Sequence, residues 1–181
     1  MQKEQPPRVT QNLVIRRRHL PHWQMGGSVY FITFRSQRGP LPASALPLVI
    51  EHVLYDHGKR YDLVFGVVMP DHVHVIFQPR EMKPGIWYDL SAIMKGLKGT
   101  SSRRINQLLG TQGTVWQEES YDRIIRDDKE LEEKLLYMYH NPVKAGLVAD
   151  PADYEFFVYP PDQVEARAAE PDRSVRPTGH G

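Results

Sequence analysis

Two histidines, His72 and His74, lie one residue apart within an apolar segment. In a β-strand, residues i and i+2 point to the same face, so both imidazoles would project side by side. Two imidazoles in this arrangement can each give one nitrogen to a single divalent cation. The alternative is a half-exposed polar strand face that binds nothing, because short motifs often match by chance. A two-histidine metal site would need a further ligand from elsewhere in the chain.

A second group of polar side chains comes from the segment at 137–141. Tyr137 and Asn141 are spaced i, i+4, so on a helix they share one face. An Asn amide oxygen is a hard ligand suited to Mg²⁺ or Mn²⁺, and a cation nearby favours the phenolate form of a tyrosine and withdraws charge from a phosphate. A phenol and a bound cation placed together in this way could support attack by the tyrosine on a phosphodiester. The alternatives are a packed tyrosine and an Asn that ends a helix before Pro142.

Two related interpretations are less favoured, a histidine-triad hydrolase and a nucleophilic Tyr139. The histidine-triad nucleotide hydrolases have a third histidine two residues after the second, where this chain has Ile76, so their nucleophile is missing. Tyr139 is the other candidate nucleophile on the helix. It lies about 200° round an ideal helix from Tyr137 and should face away from the metal site.

Composition predicts one soluble, cytoplasmic domain with tails. The chain has 181 residues, 40% of them hydrophobic and 25% charged, and no cysteine, which excludes disulfides and thiolate chemistry. No apolar segment approaches the length of a membrane span, and no secretory signal is visible. The net charge of only +1 does not indicate an indiscriminate nucleic-acid binder. Basic residues nevertheless cluster in two places: Arg16, Arg17, Arg18, and then Lys95, Lys98, Arg103, Arg104.

Hydrophobic periodicity predicts an α+β fold. We divide the chain into a basic N-terminal arm (1–24), a domain (25–150) and a largely flexible C-terminal extension (151–181). Predicted strands lie at 28–35, 61–69, 72–77 and 114–117, and predicted helices at 43–60, 86–109 and from 127 to just before Pro142, with a loop at 79–84. The order β-α-β-β-α-β-α is ferredoxin-like (RRM-like): an antiparallel sheet with helices on one face, plus an additional helix.

Six segments in consistent order resemble the single-tyrosine HUH transposases, and within them the REP-associated tyrosine transposases. They are YFITFR (30–35), VMPDHVH (68–74), MKGLK (94–98), WQ (116–117), YDRIIR (121–126) and YMYHNPVKAGLV (137–148). The resemblance implies a ferredoxin-like HUH domain in which His72 and His74 bind a divalent metal ion, Mg²⁺ or Mn²⁺. It also implies that Tyr137 is the nucleophile and that Asn141 completes the metal site.

The resemblance further implies cleavage of single-stranded DNA beside a hairpin, giving a 5′-phosphotyrosine. The two basic clusters would then bind DNA phosphates, and Trp116 or Trp87 could stack on bases or simply pack. We expect a nucleoid-associated protein that acts as a monomer or homodimer. Two other functions stay open: a domesticated hairpin-binding protein without transposition, and a metal phosphoesterase that uses water as its nucleophile.

Overall fold

The computed structural model of the protein describes residues 27–163. Arg16, Arg17 and Arg18, which were predicted to bind DNA, lie outside the described residues. The strands are β1 (Tyr30–Ser36), β2 (Tyr61–Val68), β3 (His72–Pro79), β4 (Glu81–Lys83), β5 (Ile86–Trp87), β6 (Trp116–Ile124) and β7 (Phe157–Val158). The α-helices are α1 (Leu46–Tyr55), α2 (Leu90–Leu109) and α3 (Asp128–Lys144).

Five strands form one antiparallel sheet in the order β6-β1-β3-β2-β7. Without β7, this is the strand order of a ferredoxin-like fold, with the last of the four long strands beside the first, and the predicted fold class is confirmed. The remaining pair, β4 and β5, forms a separate two-stranded hairpin. Within residues 27–163, no helix is long and apolar enough to cross a membrane.

The sheet is covered on both faces, which explains why its central strands are apolar on both sides. Side chains at alternate positions of β3, such as Val73 and Val75, pack with Val49 of α1 and Ile93 of α2. Ile76 points to the opposite face and belongs to a second cluster that contains Leu135 of α3. The expectation of helices on one face therefore holds for α1 and α2 only, and α3 lies on the opposite face, the face of His72 and His74.

The structure corrects the predicted start of α2 and the predicted elements on either side of it. The helix begins at Leu90, not at residue 86, because the Asp89 side chain caps it by accepting a hydrogen bond from the Ala92 N–H at 2.9 Å. The preceding residues form the β4–β5 hairpin where a loop was predicted. Gly85 lies at its turn with φ of 76°, a conformation that favours glycine. The predicted short strand at 114–117 is in fact the longer β6.

Helix α3 continues past Pro142, where it was predicted to stop. Proline lacks an N–H and disfavours helix in the residue before it, but here the helical bonding resumes after it. The Ala145 N–H donates to the Asn141 carbonyl at 2.9 Å, and the helix ends only after Lys144, in a cap where the Leu147 N–H donates to the Pro142 carbonyl at 2.9 Å. Asn141 is therefore held inside the helix, one turn from Tyr137, rather than at a frayed end.

The segment after residue 150 is part of the fold, so the predicted domain boundary is too early. The strand β7 pairs with Gly66 and Val67 of β2, and the buried Tyr154 hydroxyl donates to the Val68 carbonyl at 2.7 Å. A Cβ at Gly66 would lie 3.1 Å from the Val158 Cβ, so the glycine permits this close approach. Residues 164–181 of the predicted extension lie outside the described part of the chain.

Candidate active site

The two histidines project from β3 toward α3, as their i, i+2 spacing predicts. The His72 and His74 ring centroids are 4.6 Å apart, and the ring planes are inclined at 71°. His74 is only 3% exposed, and its ring stacks on Phe31 of β1 with a centroid separation of 5.3 Å. The pair therefore lies at the floor of a site formed by the centre of the sheet.

Each histidine has its Nδ1 atom engaged by a neighbour. The His74 Nδ1 lies 2.7 Å from the Thr33 Oγ1, which is its cross-strand partner on β1. The His72 Nδ1 lies 2.7 Å from the Asp71 Oδ1. The other nitrogen of His74, Nε2, is buried and has no hydrogen-bond partner among the described residues. In the tautomer whose ring proton is on Nδ1 and is donated to Thr33, His74 presents a bare lone pair on Nε2, which is the state that binds a metal ion.

Electrostatics favour the neutral form of His74 and the anionic form of Asp71. Burial, with the positive charges of His72, Arg35 and Lys134, lowers the pKa of His74 to about 3. The ring is therefore neutral at physiological pH. Burial raises the pKa of Asp71, but the hydrogen bond and charge of His72 and the charge of Arg35 outweigh it, so the pKa of that carboxyl is lowered overall. Asp71 is thus an anion that orients the His72 ring.

Helix α3 brings Tyr137 onto the histidine pair. The Tyr137 and His74 ring centroids are 5.3 Å apart, inclined at 66°, and Tyr137 also meets the edge of Phe31 at 6.3 Å. The Tyr137 side chain is 41% exposed, so it is open to a substrate. Asn141 lies one turn further along the same helix and is 7% exposed. The two segments that were predicted to supply the site do meet in the structure.

Tyr139 faces away from the histidines, as the helical angle predicts. It is 2% exposed and stacks on Phe157 of β7 with a centroid separation of 5.3 Å. This packing leaves Tyr137 as the tyrosine of α3 that is both exposed and next to the histidine pair.

Two lysines of α3 flank the tyrosine, and sequence reasoning missed both. The Lys134 Nζ lies 4.9 Å from the centre of the Phe31 ring, and the Lys144 Nζ lies 5.2 Å from the centre of the Tyr137 ring. The signal was present, because Lys134, Tyr137, Asn141 and Lys144 follow one another at intervals of three or four residues and so share a helix face. Thr33 was also missed, although its side chain must face the same way as that of its partner His74.

The cations predicted on α2 lie on the other side of the sheet. The Lys98 Nζ donates to the Glu118 carbonyl at 2.7 Å and to the Ser120 Oγ at 2.9 Å, and Arg104 lies 3.9 Å from Glu51. A groove of about 1130 Å³ runs between α2 and β6, and its charged lining is mostly acidic: Asp89, Glu118, Glu119, Asp122, with Lys95 and Lys98. Trp116 is buried, and its Nε1 donates to the Ser101 Oγ at 2.9 Å, so it packs rather than stacking on bases.

Among residues 27–163, no three His, Asp or Glu side chains form a group that could hold a metal ion. Any further ligand for the histidine pair must come from another residue type, from water or from substrate. Asn141 is a residue of another type that lies one turn from Tyr137 on the same face of α3, and its amide oxygen is a hard donor.

The part of the chain that matches known proteins contains the elements of this site. The family model "Transposase IS200 like" matches residues 48–137, which run from α1 through the histidine pair to Tyr137. The chain belongs to this transposase family. A Haemophilus influenzae protein that is named as a REP-associated tyrosine transposase is 30% identical over 101 residues, which are 53% of this chain and 57% of that protein. A REP-associated tyrosine transposase of Escherichia coli is 24% identical over 136 residues, 74% of this chain and 77% of that protein.

A solved structure shares the fold of this family member. It is a REP-associated tyrosine transposase bound to a REP hairpin, with 22% identity and a TM-score of 0.62, and the alignment covers 90% of this chain and 94% of that one. The match with the Haemophilus relative spans little more than half of that protein's length.

Proposed function

We propose that this transposase family member is a metal-dependent single-stranded DNA endonuclease and strand transferase that acts beside DNA hairpins through a 5′-phosphotyrosine. The observation that carries the proposal is the position of Tyr137, an exposed phenol whose ring centroid is 5.3 Å from that of a histidine with an unpartnered buried nitrogen. Its relatives are named transposases, and one related structure contains a REP hairpin.

The residues present fit a divalent metal ion. The Nδ1 atoms of His72 and His74 are engaged by Asp71 and Thr33, which leaves the Nε2 atoms for a ligand, and an unpartnered buried nitrogen is costly unless something binds it. Mg²⁺ or Mn²⁺ would be held by His72, His74 and Asn141. When bound, it would withdraw charge from the scissile phosphate and favour ionisation of the nearby phenol.

The chain's own residues account for the transfer step. The Tyr137 oxygen forms a bond to phosphorus and gives its proton to water, while the bond from phosphorus to the 3′ oxygen breaks and that oxygen takes a proton from water and leaves as a hydroxyl. The phosphodiester is conserved as a phosphotyrosine, so the reverse attack by a 3′ hydroxyl rejoins the strand without ATP. Lys134 and Lys144 place positive charge on either side of Tyr137, where phosphate oxygens would lie.

The proposed partner is DNA that combines a hairpin with a single-stranded flank. Such a substrate would hold the protein near the nucleoid in the cytoplasm, as a monomer or homodimer. A short flank reaching Tyr137 must lie on the face of the sheet that carries α3, whereas the cations of α2 lie on the other face. The hairpin stem is therefore the part of the substrate that can reach Lys95, Lys98, Arg103 and Arg104.

An adduct assay tests the proposal. We expect the parent chain with Mg²⁺ or Mn²⁺ to form a protein–DNA adduct that survives denaturation, with a free 3′ hydroxyl on the released fragment. EDTA should abolish the adduct, and so should Tyr137→Phe, which keeps the ring and removes the attacking oxygen. Tyr139→Phe is the matched control and should keep the adduct, because Tyr139 packs against Phe157 away from the histidines.

The same assay separates the alternatives. Cleavage without an adduct that persists in Tyr137→Phe would identify a phosphoesterase using water. Hairpin binding by the parent chain with neither cleavage nor adduct would identify a binding protein without transposition. Either result would overturn the proposed mechanism.

A further inference from the structure

We propose that Tyr121 on β6 is a stacking platform for a base of the single-stranded flank, within a few nucleotides of the scissile phosphate. The inference rests on the proposed function, because it assigns a binding position to the substrate of that same site. It concerns a residue outside the histidine pair and outside α3.

The strand register places Tyr121 in line with the histidines. His74 of β3 pairs with Thr33 of β1, and Thr33 pairs in turn with Tyr121 of β6. Directly opposite residues of an antiparallel pair share one face of the sheet. His74, Thr33 and Tyr121 therefore form a row across three strands, with neighbouring strands about 4.8 Å apart. Two such spacings put Tyr121 about 10 Å from His74, on the face where Tyr137 lies.

The opposite orientation is excluded by the neighbours of Tyr121 on β6. Ser120 and Asp122 line the groove against α2, on the other face of the sheet. The irregularity in the pairing of β1 with β6 falls beyond Phe34, so the alternation at Tyr121 is regular. Tyr121 must therefore point to the histidine face.

Exposure and support make Tyr121 suitable for stacking. Its side chain is 57% exposed, and its backbone is held in the long edge strand next to the site. The next residue on the same face of β6 is Arg123, and its Nε donates to the Glu130 Oε1 at 2.5 Å, which ties β6 to α3. Arg35 of β1 lies opposite His72 of β3, and its guanidinium forms an ion pair with the Asp71 carboxylate at 3.7 Å. The neighbouring cations are thus partly neutralised, so the affinity supplied here should come mainly from the ring.

An aromatic platform is the missing part of a single-strand site. Proteins that bind single strands combine positive charge along the backbone with aromatic side chains on which bases stack. Lys134 and Lys144 supply charge near Tyr137, but Trp116 is buried and cannot offer its face. On the histidine face, within the described residues, Tyr121 is an aromatic side chain that is exposed, rigidly mounted on a strand and not itself the proposed nucleophile.

The test measures binding without cleavage. All variants carry Tyr137→Phe, and the probe is a fluorescent REP-type hairpin with a single-stranded flank in Mg²⁺. We expect Tyr121→Ala to bind roughly tenfold more weakly. Tyr121→Phe should restore most of the affinity because it keeps the ring. Tyr55→Ala is the matched control, since Tyr55 is an exposed tyrosine at the end of α1, on the other face of the sheet.

Abasic substitution along the flank locates the stacked base. We expect one flank position at which removing the base weakens binding by the chain that retains Tyr121 about as much as Tyr121→Ala does. Removing the same base should not lower the affinity of the Tyr121→Ala chain any further. Unchanged affinity in Tyr121→Ala, an equal loss in Tyr55→Ala, or additive losses at every flank position would overturn the platform.

Failure of the platform is distinguishable from failure of the proposed function. With Tyr137 intact, the parent chain forms the covalent adduct whether or not Tyr121 stacks a base. An adduct together with unchanged affinity in Tyr121→Ala would refute only the platform. Absence of any adduct from the parent chain would refute the proposed mechanism on which it rests.

Discussion

At the scale of single residues, His74 is a side chain that folding alone does not explain. A buried polar atom without a partner costs about 1–3 kcal/mol, and His74 has one in its Nε2 atom. An aliphatic residue at this position of a central strand would pack without that cost. The arrangement makes sense if the nitrogen binds a ligand, and the partners Thr33 and Asp71 then serve to orient the two rings.

Acid should destabilise the protein through His74. The pKa of His74 is lowered from 6.5 to about 3 by burial and nearby positive charge, so the unfolded chain takes up a proton over that range while the folded chain does not. The free energy of unfolding should therefore decrease as pH falls from about 6.5 toward about 3, by up to about 1.4 kcal/mol per pH unit. Urea denaturation in EDTA at several pH values measures it. His74→Gln should show a shallower dependence, and an equal dependence would contradict this origin.

Thr33 should influence metal binding without being a ligand. Its Oγ1 fixes the Nδ1 of His74, and loss of such an orienting partner typically lowers metal affinity about 10- to 100-fold. Thr33→Val keeps the shape and removes the hydroxyl. Isothermal titration with Mn²⁺ should show the weaker affinity in Thr33→Val and no change in Thr114→Val, a matched substitution in the groove on the other face. Equal Mn²⁺ affinity in parent and Thr33→Val would show that the orientation of His74 does not depend on Thr33.

At the scale of elements, the site depends on how α3 is attached to the sheet. The Glu130 carboxylate accepts from the Arg123 Nε at 2.5 Å and from the Arg126 N–H at 3.0 Å, so it joins the end of β6 to the start of the helix. Asp127 caps the same end by accepting from the Glu130 N–H at 2.8 Å. Leu131, Leu135 and Met138 then bury the inner face of α3. The position of Tyr137 follows from these attachments.

Sequence patterns predicted these elements better than their ends. Runs of β-prone residues predicted the first three long strands and the start of β6, and apolar residues at helical spacing predicted the three helices. The β4–β5 hairpin and β7 were missed because each strand has only two or three residues, too few to show a period. The stop predicted at Pro142 was wrong because a local backbone bias was outweighed by the packing of the helix, in which Pro142 itself is buried.

Removing the segment after residue 150 should destabilise the sheet. A chain that ends at residue 150 lacks β7 and Tyr154, so it exposes Phe65 and Val67 and leaves the Val68 carbonyl without the Tyr154 hydroxyl. The lost apolar burial and the hydrogen bond should lower the free energy of unfolding by several kcal/mol. Urea denaturation should be compared with a chain ending at Gln163, which retains every described residue. Equal midpoints would show that the segment after residue 150 contributes nothing to the stability of the domain.

At the scale of the whole molecule, the site is a product of tertiary pairing. His74 and Tyr137 are far apart in the chain, and they meet because β3 is central and α3 crosses the sheet on the histidine side. The sequence predicted each half of the site, and the family resemblance indicated that the halves meet. It did not predict on which side of the sheet each basic cluster lies, because helical periodicity shows which face of α2 is buried but not which face of the sheet it covers.

The two faces of the sheet should therefore contribute differently to DNA binding. We compare Lys134→Gln/Lys144→Gln with Arg103→Gln/Arg104→Gln, each of which removes two positive charges from one face. For a short bare single strand, the first pair should weaken binding. It should also flatten the plot of log affinity against log salt by about 0.7 for each phosphate that a lysine no longer neutralises.

The second pair should leave the bare strand unaffected, because Arg103 and Arg104 of α2 lie across the sheet from Tyr137. It should reduce the salt dependence only for a probe that carries the hairpin, whose stem can reach that face. Measuring anisotropy over a salt series with both probes gives the four slopes. A bare-strand slope that is flattened by the α2 pair and unchanged by the α3 pair would place the single strand on the wrong face, and with it the approach to Tyr137 that the mechanism requires.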